Sequence, residues 1–297
     1  MKIIRTIKAW REQRMELLTD NPRLNIGLIP TMGYLHEGHL SMVDHARQEC
    51  DLVVMSIFVN PLQFGANEDF ADYPRNLEQD AQKAQARGVD VIFAPSTNEM
   101  YPSAAPLTTV SVRELSDVMC GKSRPGHFDG VATVVMKLFQ IIQPDYAYFG
   151  LKDAQQVAII EQMVNDLNVP VHIRPCPIIR ESDGLALSSR NVYLSTDERK
   201  QATVLYRSLK NAYDAVQKGE RRPGKIEERI RTEIEGAPLA EIDYVELRTY
   251  PGLQKLDYLQ QTFIIALAVK FGKARLIDNI VVHIDNDGRV QQCGVKC

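Results

Sequence analysis

Over residues 24–179, short apolar runs closed by Pro or Gly alternate with stretches of helical period. The run LNIGLI at 24–29 ends at Pro30 and Gly33, which suits a strand buried on both faces. Leu40, Val43, Ala46 and Cys50 then recur at three- and four-residue steps and predict a helix. LVVMSIFV at 52–59 predicts a second buried strand. NLEQDAQKAQAR at 76–87 predicts a helix stopped at Gly88, and VDVIFA at 89–94 a third strand. VATVVMKLFQII at 131–142 reads as a buried helix ending before Pro144, against the β preference of its branched residues. Residues 146–149 predict a fourth strand and 154–168 an amphipathic helix. Residues 171–179 predict an extended segment interrupted by Pro175 and Pro177.

Strands alternating with helices predict the α/β class, a parallel sheet with helices on both faces. Beyond Arg180 the texture changes. Charged helical stretches at 196–218 and 224–235 precede strand-like runs at 242–249, 262–270 and 275–284, the pattern of a smaller α+β unit. Glu181-Ser182-Asp183-Gly184 reads as a turn near the junction, so the expected domains are 1–178 and 179–297.

At 297 residues the chain can form one large domain or two ordinary ones, and it needs no disulfide or metal staple. Its 44% hydrophobic and 25% charged residues are ordinary for a globular protein. A net charge of −3 removes the broad electrostatic case for a nucleic-acid binder. Cys50, Cys120, Cys176, Cys293 and Cys297 are odd in number and scattered, which fits a reducing compartment better than a disulfide framework. Met1-Lys2-Ile3-Ile4-Arg5 lacks the apolar core of a signal peptide, and no run reaches the length of a membrane span. The expectation is a cytoplasmic protein with neither nucleic-acid nor membrane partners.

In a parallel sheet, ligands bind beyond the carboxyl ends of the strands, so the residues after each apolar run carry the candidate chemistry. His36 and His39 stand three apart at the start of a helix, where free N–H groups and the dipole attract anions. Two imidazoles there could stabilise charge on phosphate, could be surface or capping residues, or could be zinc ligands. The zincin spacing is four, however, and no third ligand is near. Lys152 and Asp153 follow a buried strand, where a lysine reaches phosphate and an aspartate faces Mg²⁺, or the two form a simple ion pair. Ser188, Ser189 and Arg190 offer hydroxyls and a guanidinium to anionic oxygens, or form an ordinary polar turn. Asn60, Gln63 and Gln156 suit a small polar substrate, or serve as satisfied loop amides. Asp80 could be a second metal-facing carboxylate, although its charged helix favours solvent exposure. Arg124-Pro125-Gly126-His127-Phe128 reads as an ordered loop with two cationic groups, or as a surface loop. Neither a P-loop nor a dinucleotide fingerprint occurs.

PTMGYLHEGH, SIFVNPLQF, RPGHFDGVATVV, GLKDAQQ and LSSRN, in this order and spacing, closely resemble the pantoate–β-alanine ligase family over most of residues 26–195. The resemblance implies a homodimeric enzyme of the nucleotidyltransferase superfamily. It also implies a Rossmann-like first domain that binds nucleotide and pantoate, and a smaller C-terminal lid. The implied reaction joins pantoate to β-alanine with consumption of ATP, with Mg²⁺, through a pantoyl-adenylate, and releases AMP and pyrophosphate. His36 and His39 fall on the superfamily's H-x-G-H signature, and Ser188-Ser189-Arg190 on the segment that plays the part of the synthetases' KMSKS loop. The resemblance places His36, His39, Lys152 and Arg190 at the reacting phosphorus. Met32, Gly150, Asp153, Leu187, Ser188 and Ser189 fall beside ATP. Gln63 and Gln156 match pantoate-holding glutamines, with Pro30 and Met32 lining the pocket and Asn60 near the acceptor. Asp80 and Asp153 match carboxylates near the metal and phosphates, and Arg124 and His127 a loop near the substrates. Leu151 and Ala154 depart from the family's Glu and aromatic. The rival readings are a transferase that only adenylates or cytidylylates a phosphate ester, for which Arg or Lys would suit positions 63 and 156, and a non-catalytic nucleotide-binding module.

Overall fold

The computed structural model describes residues 1–65, 68–103 and 106–294, and Cys297 lies outside them. Among the described residues, β1 (Lys2–Ile4), β2 (Ile26–Thr31), β3 (Leu52–Ile57), β4 (Val91–Phe93), β5 (Tyr146–Gly150) and β6 (His172–Cys176) form one parallel sheet. Its order is β1-β4-β3-β2-β5-β6. The connections run through α1 (Ile7–Asp20), α2 (Glu37–Glu49), α3 (Leu77–Ala86), α4 (Thr97–Met100), α5 (Cys120–Ser123), α6 (His127–Ile142) and α7 (Ala154–Asp166). Ile29, Val53, Met55, Ile92 and Tyr148 share a core with Leu40, Val43 and Ala46 of α2 and Ala84 of α3. Leu28, Val54 and Ala147, one residue out of phase, are also buried, so both sheet faces are covered. This is the α/β arrangement expected from the alternation.

Two elements at the N-terminus escape the sequence pattern. β1 is a three-residue edge strand, too short for periodicity. α1 buries only Trp10, whose indole N–H donates to Ile141 O at 2.9 Å. α6 forms despite its branched residues because most of its length is buried, and packing outweighs intrinsic preference. It starts four residues before the expected 131, behind a left-handed Gly126.

The chain divides into two compact units. One comprises 1–117, 124–150 and 159–176, and the other 118–123, 151–158 and 177–297. In the second, β7 (Ala240–Thr249), β8 (Gln261–Phe271), β9 (Ala274–Ile284) and β10 (Val290–Gln292) form an antiparallel sheet ordered β10-β9-β8-β7. It carries α8 (Thr196–Ala202), α9 (Val204–Gln217) and α10 (Pro223–Glu235). Leu209, Ala212 and Val216 of α9 and Ile226, Ile230 and Ile234 of α10 share a core with Phe263, Ile265, Leu267 and Val269 of β8. The single helix expected at 196–218 is broken at Thr203, whose hydroxyl bonds back to Lys200 O at 2.8 Å.

Candidate active site

From β2 the chain builds β3 and β4 on one side, then returns to lay β5 and β6 on the other. β2 and β5 therefore flank a topological switch point, the place where open α/β sheets bind ligands. Because all six strands are parallel, the segments after β2, β3 and β5 leave the sheet at the same end.

After β2 the backbone turns through positive φ at Gly33 and Tyr34 and then enters α2 at His36. Asp80, in the first turn of α3, holds this loop: its carboxylate accepts from Tyr34 N at 2.8 Å and Leu35 N at 2.7 Å. Lys83, one turn on, donates to Leu35 O at 2.7 Å. Asp80 is only 1% exposed. This corrects the expectation of solvent exposure for Asp80, since the carboxylate is buried and accepts from two backbone donors.

His36 is the N-cap of α2, and its Nδ1 accepts from Gly38 N at 3.1 Å. His39 Nδ1 accepts from His36 N at 3.3 Å, completing a reciprocal cap. With both Nδ1 atoms accepting, the neutral rings carry their protons on Nε2. Their centroids are 4.0 Å apart. Two Nε2–H donors thus sit at a helix N-terminus beside the switch point, an arrangement suited to phosphate oxygens.

After β3, Asn60 caps a 3₁₀ turn at Pro61–Gln63. Asn60 is 1% exposed and its amide is fully used: Oδ1 accepts from Tyr101 OH at 2.9 Å and Leu62 N at 3.3 Å. Its Nδ2 donates to Gly130 O at 3.0 Å and Gln63 Oε1 at 3.2 Å. Burial pushes the Tyr101 phenol up, so it stays a neutral donor. Asn60, expected near the acceptor, is a buried hub of this turn. Gln63 itself is half-buried, with Nε2 3.1 Å from Met32 Sδ, so Met32 and Gln63 meet beside half-buried Pro30. Arg124 pairs with Glu68, and both Arg124 and His127 reach Gln63 O. Gly130 lets α6 approach this turn, because a Cβ there would stand 2.3 Å from Leu62 O.

Gly150 ends β5, and the next segment, from Leu151, belongs to the second unit. Lys152 Nζ lies 3.5 Å from Asp153 Oδ2. Asn279 of β9, 5% exposed, fixes this turn by donating to Leu151 O at 2.9 Å and Lys152 O at 2.8 Å. Asp278, its neighbour, is buried against the Arg180 guanidinium at 2.6 and 2.9 Å. Ser188 caps the 3₁₀ turn Ser189–Tyr193 through Arg190 N at 3.2 Å, and Leu187 N donates to Ile179 O at 3.0 Å. Lys152, Ser188, Asn191 and Asp278 line one small cavity with Leu185, Ala186 and Leu276. Gln156 is half-buried on α7, while adjacent Gln155 is buried and holds Cys120 N and Val118 O. Asn279, Arg180, Lys83 and Glu68 are the structural partners that sequence reasoning missed. A polar residue inside an apolar strand, as in IDNIVV at 277–282, was the one signal that pointed to Asn279.

Among the described residues, no group of three or more His, Cys, Asp or Glu side chains could hold a metal ion. No helix is long and apolar enough there to cross a membrane.

A doubly wound sheet whose switch point presents paired imidazoles at a helix N-terminus belongs to the nucleotide-handling α/β enzymes. Within that class, the chain is a member of the pantoate-beta-alanine ligase family, whose model matches residues 2–281. It is 57% identical over 264 residues to the pantothenate synthetase of Geobacillus kaustophilus, covering 89% of this chain and 87% of that protein. It is 53% identical over 283 residues to that of Caldicellulosiruptor bescii, covering 95% and 99%. The crystal structure of the Thermus thermophilus enzyme superposes with a TM-score of 0.88 at 44% identity, over 94% of this chain and 98% of that one. The Francisella tularensis ligase, complexed with beta-gamma ATP and beta-alanine, gives 0.77 at 37% identity, over 94% and 97%.

Proposed function

We propose that the chain condenses pantoate with β-alanine, using ATP, by way of a pantoyl-adenylate. The observation that carries this reading is the pair of Nε2–H donors fixed at the N-terminus of α2 beside the switch point. A carboxylate is a poor acyl donor because oxide is a poor leaving group. A pantoate carboxylate oxygen therefore attacks the α-phosphorus and pyrophosphate leaves. The β-alanine amine then attacks the acyl carbon, loses a proton, and AMP departs. No side chain forms a covalent intermediate. Positioning and charge stabilisation supply the acceleration, as in phosphoryl transfer generally.

His36, His39, Lys152 and Arg190 offset charge developing on the phosphates. Ser188 and Ser189 add hydroxyl donors, with Met32, Gly150 and Leu187 beside the nucleotide. Gln63 and Gln156 hold the hydroxyls and carboxylate of pantoate against Pro30 and Met32. Asp153, half-exposed beside Lys152, is the carboxylate suited to face Mg²⁺. That ion, bound chiefly by the nucleotide, would neutralise phosphate charge. Asp80 and Asn60 act as positioning residues.

The test is product analysis with ATP, pantoate and β-alanine. AMP and pyrophosphate should form only when pantoate is present, and release of ADP and phosphate would overturn the adenylate route. A homodimer is part of the same proposal, and sedimentation should report twice the chain mass.

A further inference from the structure

We infer that Glu68, Arg124 and His127 form a positioning network that sets Gln63 for its substrate, and that Arg124 and His127 do not bind that substrate themselves. Arg124 Nε donates to Glu68 Oε1 at 2.6 Å and Nη2 to Glu68 Oε2. Its Nη1 lies 2.9 Å from His127 Nε2, and Nη2 donates to Gln63 O at 3.3 Å. A guanidinium only donates, so His127 Nε2 is the acceptor of that bond. The neutral ring must then carry its proton on Nδ1, which donates to Gln63 O at 2.7 Å. Four of the five guanidinium N–H groups and both imidazole nitrogens are thereby engaged within the chain.

Two of these bonds end on one residue, and the others hold their donors in place. The Gln63 carbonyl accepts from both Arg124 and His127, while its side-chain amide meets Asn60 and Met32. Main chain and side chain of Gln63 are fixed from opposite ends. Glu68 also ties down the chain beyond Gln63, since its own N–H donates to Gly65 O at 3.1 Å. The Arg124 side chain is only 15% exposed and its partner's carboxyl is half-buried. Burial raises the Glu68 pKa, but the hydrogen bond and charge of Arg124 outweigh it and hold the carboxyl below its usual range. The Glu68 carboxyl is ionised near neutrality.

The inference builds on the ligase reading through the pantoate-holding role of Gln63, so wild-type AMP formation is the control that tests that reading separately. With wild type active, Glu68→Gln and His127→Ala should each raise the KM for pantoate about tenfold, with kcat changed by less than about threefold. His127→Asn keeps a donor near the place of Nδ1 and should recover most of the loss. His127→Gln, with its amide near the place of Nε2, should not. In a Gln63→Ala background, Glu68→Gln should add nothing further. Thermal melts would identify any variant that fails to fold, and the remaining His127 variants keep the test decisive.

If Arg124 were instead a substrate ligand restrained by Glu68, Glu68→Gln would free it and lower the pantoate KM. A lowered or unchanged KM overturns the inference, as does an additive effect on top of Gln63→Ala or equal behaviour of His127→Asn and His127→Ala.

Discussion

In the first unit, the loop that delivers His36 is held by Asp80 and Lys83, which lie on α3 within about fifty residues of it. In the second, the turn that delivers Lys152 is held by Asn279, which arrives from a strand 127 residues later. The anchors Asp80 and Asn279 are buried, whereas His36, His39 and Lys152 are half-exposed. Both units thus hold a backbone turn with a buried polar side chain and leave the residue proposed for the chemistry half-exposed. They differ in charge. The first anchor is a carboxylate meeting N–H groups, the second a neutral amide meeting carbonyls. A charge-assisted bond is the stronger of the two and leaves more behind when broken.

The comparison breaks most sharply at Asp80. Asp80→Ala orphans two N–H groups on a left-handed turn. It should cost about 3 kcal/mol in chemical denaturation and slow adenylate formation roughly a hundredfold in single-turnover assays. Asp80→Asn keeps one acceptor and should lose less. Next comes Gly130→Ala, which drives a methyl into the backbone of the 61–63 turn. About 2 kcal/mol of stability should go, with a raised pantoate KM, and an unchanged melt would mean that α6 can retreat. Asn279→Ala should cost about 1 to 2 kcal/mol and slow adenylation about tenfold while leaving the pantoate KM alone. An effect as large as that of Asp80→Ala would erase the distinction between the two anchors.

The smallest effect is on pH dependence. A hydrogen bond from Arg174 lowers the Glu49 pKa, burial opposes it, and the charge of Arg174 adds to the lowering. In the second unit, Asp183 is lowered first by its hydrogen bond from Arg199. In each case the unfolded chain takes up its proton at the higher pH. The stabilisation is therefore complete above the ordinary values of 4.5 and 3.8 and is lost as pH falls through the lowered ones. Solvent screening keeps each pair to under about 1 kcal/mol. Denaturation midpoints from pH 6 to pH 3 should show Glu49→Gln and Asp183→Asn losing this slope.

Much of the sheet was legible because its strands are buried on both faces and announce themselves as apolar runs between breakers. β1, α1 and β10 were not. Two are three residues long, and α1 buries a single side chain. The positions proposed to carry the chemistry follow strand ends, where the H-x-G-H spacing and the lysine after β5 drew the proposal. Their supports could not. Asp80 sits in the charged string LEQDAQK, which looks solvated, and its burial depends on N–H groups of a loop some 45 residues upstream. Gln155 and Gln156 are adjacent and chemically identical, and only helix phase separates the buried strut from the half-exposed neighbour.

The division of the chain also governs how the molecule can be dissected. The polypeptide alternates between the units, and the segments 118–123 and 151–158 belong to the second while being encoded within the first. A fragment ending at Cys176 would carry away Cys120, leaving buried Tyr244 without its thiol partner at 3.2 Å and Asn279 without the carbonyls it holds. No single cut yields two self-sufficient halves. Limited proteolysis or gene splitting should therefore give pieces that regain structure only when both are present.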